Sequence, residues 1–128
     1  IRLDGSLDLG VRGATIRRVQ ILARPPVVGL DQFGQWMHLA VVIDGANGQV
    51  THYVNGAAVS RHALTVAPPY RLGPAELGNW NAGDFPNKPP SLIRHFSGTM
   101  DEFALFDRAL SGREIQALNA EGRSQPNF

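Results

Sequence analysis

Short apolar runs of strand length, broken by Gly, Pro and Asn turn residues, follow one another along this chain. The strongest strand signal is residues 36–43, WMHLAVVI, apolar on both faces as expected of a strand packed on both sides or at the centre of a sandwich. Residues 44–49, DGANGQ, carry turn chemistry, and residues 50–54 return. With Ile43 opposite Val50, Leu39 falls opposite Val54 and Ala40 opposite Tyr53. The face of Met37, Leu39, Val41 and Ile43 then continues into Val50, His52 and Val54, which makes it the better core face. Trp36 is assigned to the core. Asn55-Gly56 is the strongest hairpin signal, a type I′ turn in which both residues take positive φ. Residues 57–66 lead away from it.

Upstream, residues 2–4 and 6–9 flank Gly5 as a tight β connection, and residues 15–22 read as a strand ended by Pro25-Pro26. Downstream, Pro68-Pro69 opens a segment in which Gly73 and Pro74 break the strand pattern of residues 71–77. Residues 79–91, NWNAGDFPNKPPS, form a long polar loop, the kind that often carries function. Residues 92–96 and 99–106 are the last strands. The period then turns helical. Ser111 and Glu114 have the spacing of a capping box, and Leu110 and Ile115 that of a hydrophobic staple. The pattern predicts a short helix over residues 112–120, with Gly122 placed to stop it.

Composition narrows the classes. At 128 residues one domain is the natural count, and roughly two-thirds of the unfolded surface can be buried. Apolar residues at 43% mark a globular chain, and 14 Gly with 9 Pro suit an all-β fold rich in turns. The 12 basic and 11 acidic residues are scattered, which argues against nucleic acid or a polybasic membrane patch. No apolar run approaches a membrane span. The absence of Cys excludes disulfides, thiolate metal sites and Cys nucleophiles.

Three segments carry a resemblance. Residues 99–115 place a strand ending in Asp101-Glu102-Phe103 before Arg108-Ala109-Leu110-Ser111 and Glu114-Ile115. This resembles the C-terminal signature of laminin-G-like domains of the concanavalin-A-like lectin and glucanase superfamily. GQWMHLAVVIDGANGQVTHYVNG, residues 34–56, resembles that family's central hairpin, and YRLGPAELGNW, residues 70–80, the strand after it. Their order agrees too, and together they span about residues 34–120, most of the chain, whereas residues 1–33 match only loosely. The resemblance implies an antiparallel jelly-roll β-sandwich with one short C-terminal helix, and a single domain over residues 1–128. Family members usually carry further strands before the region that Ile1 begins, so the chain reads as a fragment of a larger protein. It further implies a non-catalytic recognition module in a secreted or envelope-attached bacterial protein, with glycans or surface proteins as ligands at rim loops. An alternative is a structural domain that packs against other copies or domains through exposed strand edges.

Within that frame, Asn79, Trp80, Asn81, Asp84 and Phe85 are the candidate ligand site. An aromatic face can meet the apolar side of a pyranose while amides and a carboxylate take its hydroxyls. The simpler role for Trp80 is to plug the edge of the core while the Asn residues shape turns. Asp101 shares a strand face with Phe103 and Leu105, so its carboxylate needs a partner. Hydrogen bonds, or a salt bridge to Arg94 or Arg108, would serve. So would Ca²⁺, which similar domains hold near the rim and which favours carboxylates and loop carbonyls. His38 and His52 fall on opposite faces, and no convergent His set suggests a metal. Glycoside hydrolysis by retention needs two carboxyls about 5–5.5 Å apart. Asp101 and Glu102 are adjacent and would point to opposite faces of a strand, so they cannot cooperate.

Overall fold

The computed structural model describes residues 7–11, 19–23, 27–66, 69–70, 77, 79–80, 94–96 and 98–124. The chain divides into two compact units, Ile1–Pro68 with Phe106–Phe128, and Pro69–Leu105. In the first unit, β1 (Leu7–Val11) pairs antiparallel with β2 (Val19–Ala23). A 3-10 turn at Leu30–Gln32 leads to β3 (Leu39–Asp44), β4 (Gln49–Val54) and β5 (Ala57–Ala63), an antiparallel sheet in the order β3-β4-β5. The unit closes with helix α1 (Gly112–Ser124). The second unit contains the short antiparallel pair β6 (Asn79–Trp80) and β7 (Arg94–His95).

The β3–β4 register is the one the apolar pattern predicts, with Ile43 opposite Val50, Ala40 opposite Tyr53 and Leu39 opposite Val54. The Asn55-Gly56 turn has φ of 51° and 78°, both left-handed, as a type I′ turn requires. Asn55 also ties the turn to the residue before β3. Its Oδ1 accepts the His38 N–H at 3.1 Å, and its own N–H donates to the His38 carbonyl at 2.8 Å.

Between β4 and β5 the register slips at His52/Tyr53, so that Tyr53 faces Ala58 but His52 faces Ser60. Val59 is the extra residue of a β-bulge. Because paired residues share a face, the bulge moves Arg61 to the side of Thr51 and puts His62 on the side of Val50 and His52.

Burial follows position in the sheet. β4 is central and buried on both faces from Val50 to Val54. On one face Val54 packs with Val28, flanked by Val27, Met37 and Val59. On the other, Tyr53 packs with Leu110 and Ile115, flanked by Ala40, Val42 and Leu118. The expected core face is therefore correct on β4 and incomplete on β3, where Leu39 stays 42% and Val41 45% exposed. β3 is the outermost strand of the described sheet, and the Val27–Val28 cover reaches Val54 without extending across it. Trp36 is likewise 58% exposed rather than core, since it precedes the ladder.

Two other expectations change. α1 runs to Ser124 and passes through Gly122, so that glycine does not end it. Residues 99–106 form no strand among the described residues and are exposed throughout. Their alternation supplies two faces but no partner edge, and a strand exists only once its backbone is paired.

Candidate functional site

The two ends of the predicted capping box meet as expected. Ser111 N–H donates to Glu114 Oε2 at 2.7 Å, its Oγ donates to the same oxygen at 2.8 Å, and Glu114 N–H donates to Ser111 Oγ at 3.3 Å. Leu110 and Ile115, the staple pair, lie buried in one cluster and seat the helix start on Tyr53. Arg108 Nη2 reaches Glu114 Oε1 at 2.6 Å. The Arg108 guanidinium first, and then the Ser111 hydrogen bonds, hold the Glu114 carboxyl down at about 2.

Docking the helix start on the sheet leaves a groove of ≈ 340 Å³ beside it. Its floor is the face of the sheet that carries Gln49, Thr51 and Tyr53 of β4, with Asp44 of β3 on one flank and Arg61 of β5 on the other. Its wall is the turn from Ala109 to Gly112. The polar groups here divide in two. Asp44 is engaged, accepting the Asn47 N–H at 3.0 Å and Asn47 Nδ2 at 2.7 Å, and these bonds hold its carboxyl below the usual range. Glu114 is engaged as above. By contrast, Thr51 and Tyr53 are only 6% and 7% exposed, yet neither hydroxyl is one of the buried polar atoms left without a partner among the described residues. Arg61 is exposed and makes no ion pair among them.

The residues singled out from the sequence are not among those that line this groove. Asn79 and Trp80 form β6, with Asn79 opposite His95 and Trp80 opposite Arg94. Asn81, Asp84 and Phe85 lie outside the described residues. Asp101 is exposed, and its Oδ1 accepts the N–H of Glu102, whose φ is 44°. Of the two salt-bridge partners considered for Asp101, Arg108 pairs with Glu114. Among the described residues no three His, Cys, Asp or Glu side chains gather to hold a metal. His52 is fully buried, with Nδ1 3.0 Å from Ser60 Oγ and its ring 6.0 Å from that of His62, edge to face. His38 sits on the opposite face, where burial lowers its pKa.

The groove itself escapes a reading by segments. Its one linear trace is the period-two row Gln49-x-Thr51-x-Tyr53, which puts a polar and aromatic stripe on one face of β4. Arg61 joins that face only through the bulge at Val59.

A solved S-layer domain-containing protein from Clostridium thermocellum is similar, at 23% identity and a TM-score of 0.46, covering 90% of this chain and 52% of that one. The chain thus spans about half the length of that structure. No curated protein matches the chain. A laminin G family model, described as concanavalin A-like lectin/glucanases superfamily, matches residues 4–116. The chain, with its antiparallel sheet, Asn-Gly hairpin and capped C-terminal helix, belongs to the concanavalin A-like lectin/glucanase superfamily as a laminin-G-like domain.

Proposed function

We propose that this chain is a non-catalytic recognition module that binds a glycan or a surface protein, in a secreted or envelope-attached protein with a jelly-roll sandwich. The observation that carries the reading is the state of the carboxylates in the groove. A glycosidase needs one carboxyl held protonated as general acid beside a second one ionised. Asp44 and Glu114 are both held ionised, one by Asn47 and the other by Arg108 and Ser111. Neither has a proton to give at neutral pH. The binding groups around them are hydroxyl, amide and guanidinium, which suit recognition without proton transfer.

Superfamily membership supports the ligand class and the outward location, and no helix among the described residues is long and apolar enough to cross a membrane. The loop that opens at Asn79 and Trp80 and contains Asn81, Asp84 and Phe85 is the binding edge in this reading. The test is retention on immobilised glycans. Trp80→Ala and Asp84→Ala weaken retention and leave the melting temperature unchanged, whereas equal retention by both variants removes the loop from the site.

A second reading has its own observation. β3 is the outermost described strand and shows Leu39 and Val41 half-exposed, which favours a domain that packs against other copies or neighbours.

A further inference from the structure

We propose that Asn47 is a site of spontaneous covalent modification, where the folded chain converts its own asparagine to aspartate and isoaspartate in the β3–β4 turn, while the fold preserves Asn55 in the same Asn-Gly sequence. This chemistry is independent of any ligand at the groove or at the Asn79–Trp80 strand.

Asn47 and Asn55 are the two asparagines that a glycine follows. The reaction needs the backbone nitrogen of the next residue to reach the asparagine Cγ, and glycine permits that approach because it carries no Cβ. The Gly48 nitrogen gives up its proton and forms a bond to Asn47 Cγ. The Cγ–Nδ2 bond breaks, and Nδ2 takes up that proton and leaves as ammonia. The product is a five-membered succinimide. Solvent water then opens the ring at one of its two carbonyls. Cleavage at Cγ gives aspartate. Cleavage at the backbone carbonyl gives isoaspartate, in which the main chain runs through Cγ. Nothing is oxidised or reduced, and water is the only co-reactant.

The two sites share these atoms and differ in their surroundings. Asn47 is exposed, in the turn between Asp44 and Gln49. Its N–H donates to Asp44 Oδ1 at 3.0 Å and its Nδ2 to Asp44 Oδ2 at 2.7 Å. Both bonds lie at the surface, where water takes over either one at small net cost. Gly48 has φ of 58°, and the nearest atom to the place of a Cβ there, beyond its chain neighbours, is the Leu64 carbonyl oxygen at 3.7 Å. The turn therefore has room to close a ring.

Asn55 is half-buried and Gly56 is buried. The Asn55 Oδ1 accepts the His38 N–H at 3.1 Å, and the Asn55 N–H donates to the His38 carbonyl at 2.8 Å. A Cβ on Gly56 would meet Asn119 of α1 at 3.2 Å. Turning the Asn55 amide onto the Gly56 nitrogen breaks a part-buried bond and moves backbone packed under the helix, so the hairpin has to open first.

Conversion at residue 47 replaces the Nδ2 donor by a carboxylate that faces Asp44. Two carboxylates so close repel, and the turn relieves this by separating them. The added charge also cancels the formal net charge of +1, which makes the converted chain separable by ion exchange.

The test is incubation of the whole folded chain at neutral pH, well below its melting temperature, followed by peptide mapping in a mass spectrometer. The same incubation in urea is the reference, and there the two sites convert at comparable rates. In the folded chain the peptide holding residue 47 gains acid, with isoaspartate among the products, at least about tenfold faster than the peptide holding residue 55. Asn47→Ser removes the main acidic species that ion exchange resolves, and should that variant melt early, the peptide ratio in the parent chain decides alone. A folded-state ratio below about tenfold overturns the proposal. So does a ratio as large in urea as in the folded chain, or a folded chain that keeps Asn47 intact over the time in which half of it converts in urea.

Discussion

Asn55 concentrates several constraints in one side chain. Its φ of 51° lies in the left-handed region, which costs an ordinary L-residue roughly 1–2 kcal/mol and which Asn tolerates better. Its Oδ1 also satisfies the His38 N–H just ahead of β3. Asn55→Gly keeps the conformation and loses the hydrogen bond, so it lowers unfolding free energy by about 0.5–1.5 kcal/mol. Asn55→Ala loses both and costs about 1–2 kcal/mol more. The two denaturation midpoints should fall in that order, and equal midpoints would mean that the left-handed turn carries no strain. Glu114 offers a test by pH. Its folded carboxyl sits at about 2 against an ordinary 4.5, because Arg108 and then Ser111 stabilise the charged form. A depressed acid contributes stability that is present above its unfolded value and is lost as pH falls toward the folded one. Asp44 shifts in the same direction through Asn47. Melting temperature should therefore decline from about pH 5 down to about pH 2, and Glu114→Gln should flatten part of that decline.

At the scale of elements, what was legible in the sequence is what is local. The hairpin register needs only Ile43, Val50 and the Asn-Gly turn between two apolar runs, all within some twenty residues. The helix start needs only Leu110, Ser111, Glu114 and Ile115, and the capping bonds form among these four. The end of the helix was misread because Gly122 has two uses. It stops a helix when the chain must turn left-handed, but it is tolerated inside one at a cost of about 1 kcal/mol relative to Ala. Here it lies inside α1 and exposed. Gly122→Ala should therefore stabilise the chain by about 0.5–1 kcal/mol, read as a higher denaturation midpoint with the m-value unchanged. A glycine that capped the helix would instead lose stability on this change. The strand expected over residues 99–106 shows the opposite failure. Met100, Phe103 and Leu105 satisfy the pattern, yet pairing depends on a distant edge that no local period reports.

At the scale of the molecule, the site was less legible than the fold, and for the same reason. Thr51 and Tyr53 come from β4, Arg61 from β5 after a bulge, Asp44 from β3 and Ser111 from the helix start, so the groove exists only after tertiary assembly. The Asn79–Phe85 segment, being contiguous in sequence, could be proposed from residues alone, and its test is functional. The sheet's unequal burial makes a last prediction. β4 is sealed on both faces, but β3 carries Leu39, Val41 and, just ahead, Trp36 in partial contact with water. Residues 39–43 hold no charge, no proline and no bulge, which are the devices that natural edge strands use against pairing. Either association or a covering segment relieves that exposure, and the two differ in their concentration dependence. If copies associate through β3, sedimentation shows a weight-average mass that rises with concentration. Replacing both Leu39 and Val41 by Lys then restores the monomer. The change costs little stability in the isolated chain, because both side chains already meet solvent, and surface substitutions of that kind usually fall within about 0.5 kcal/mol. A double variant that melts far below the parent would instead mean that these residues are covered within the chain itself, and a parent that stays monomeric at every concentration would remove β3 as an assembly edge.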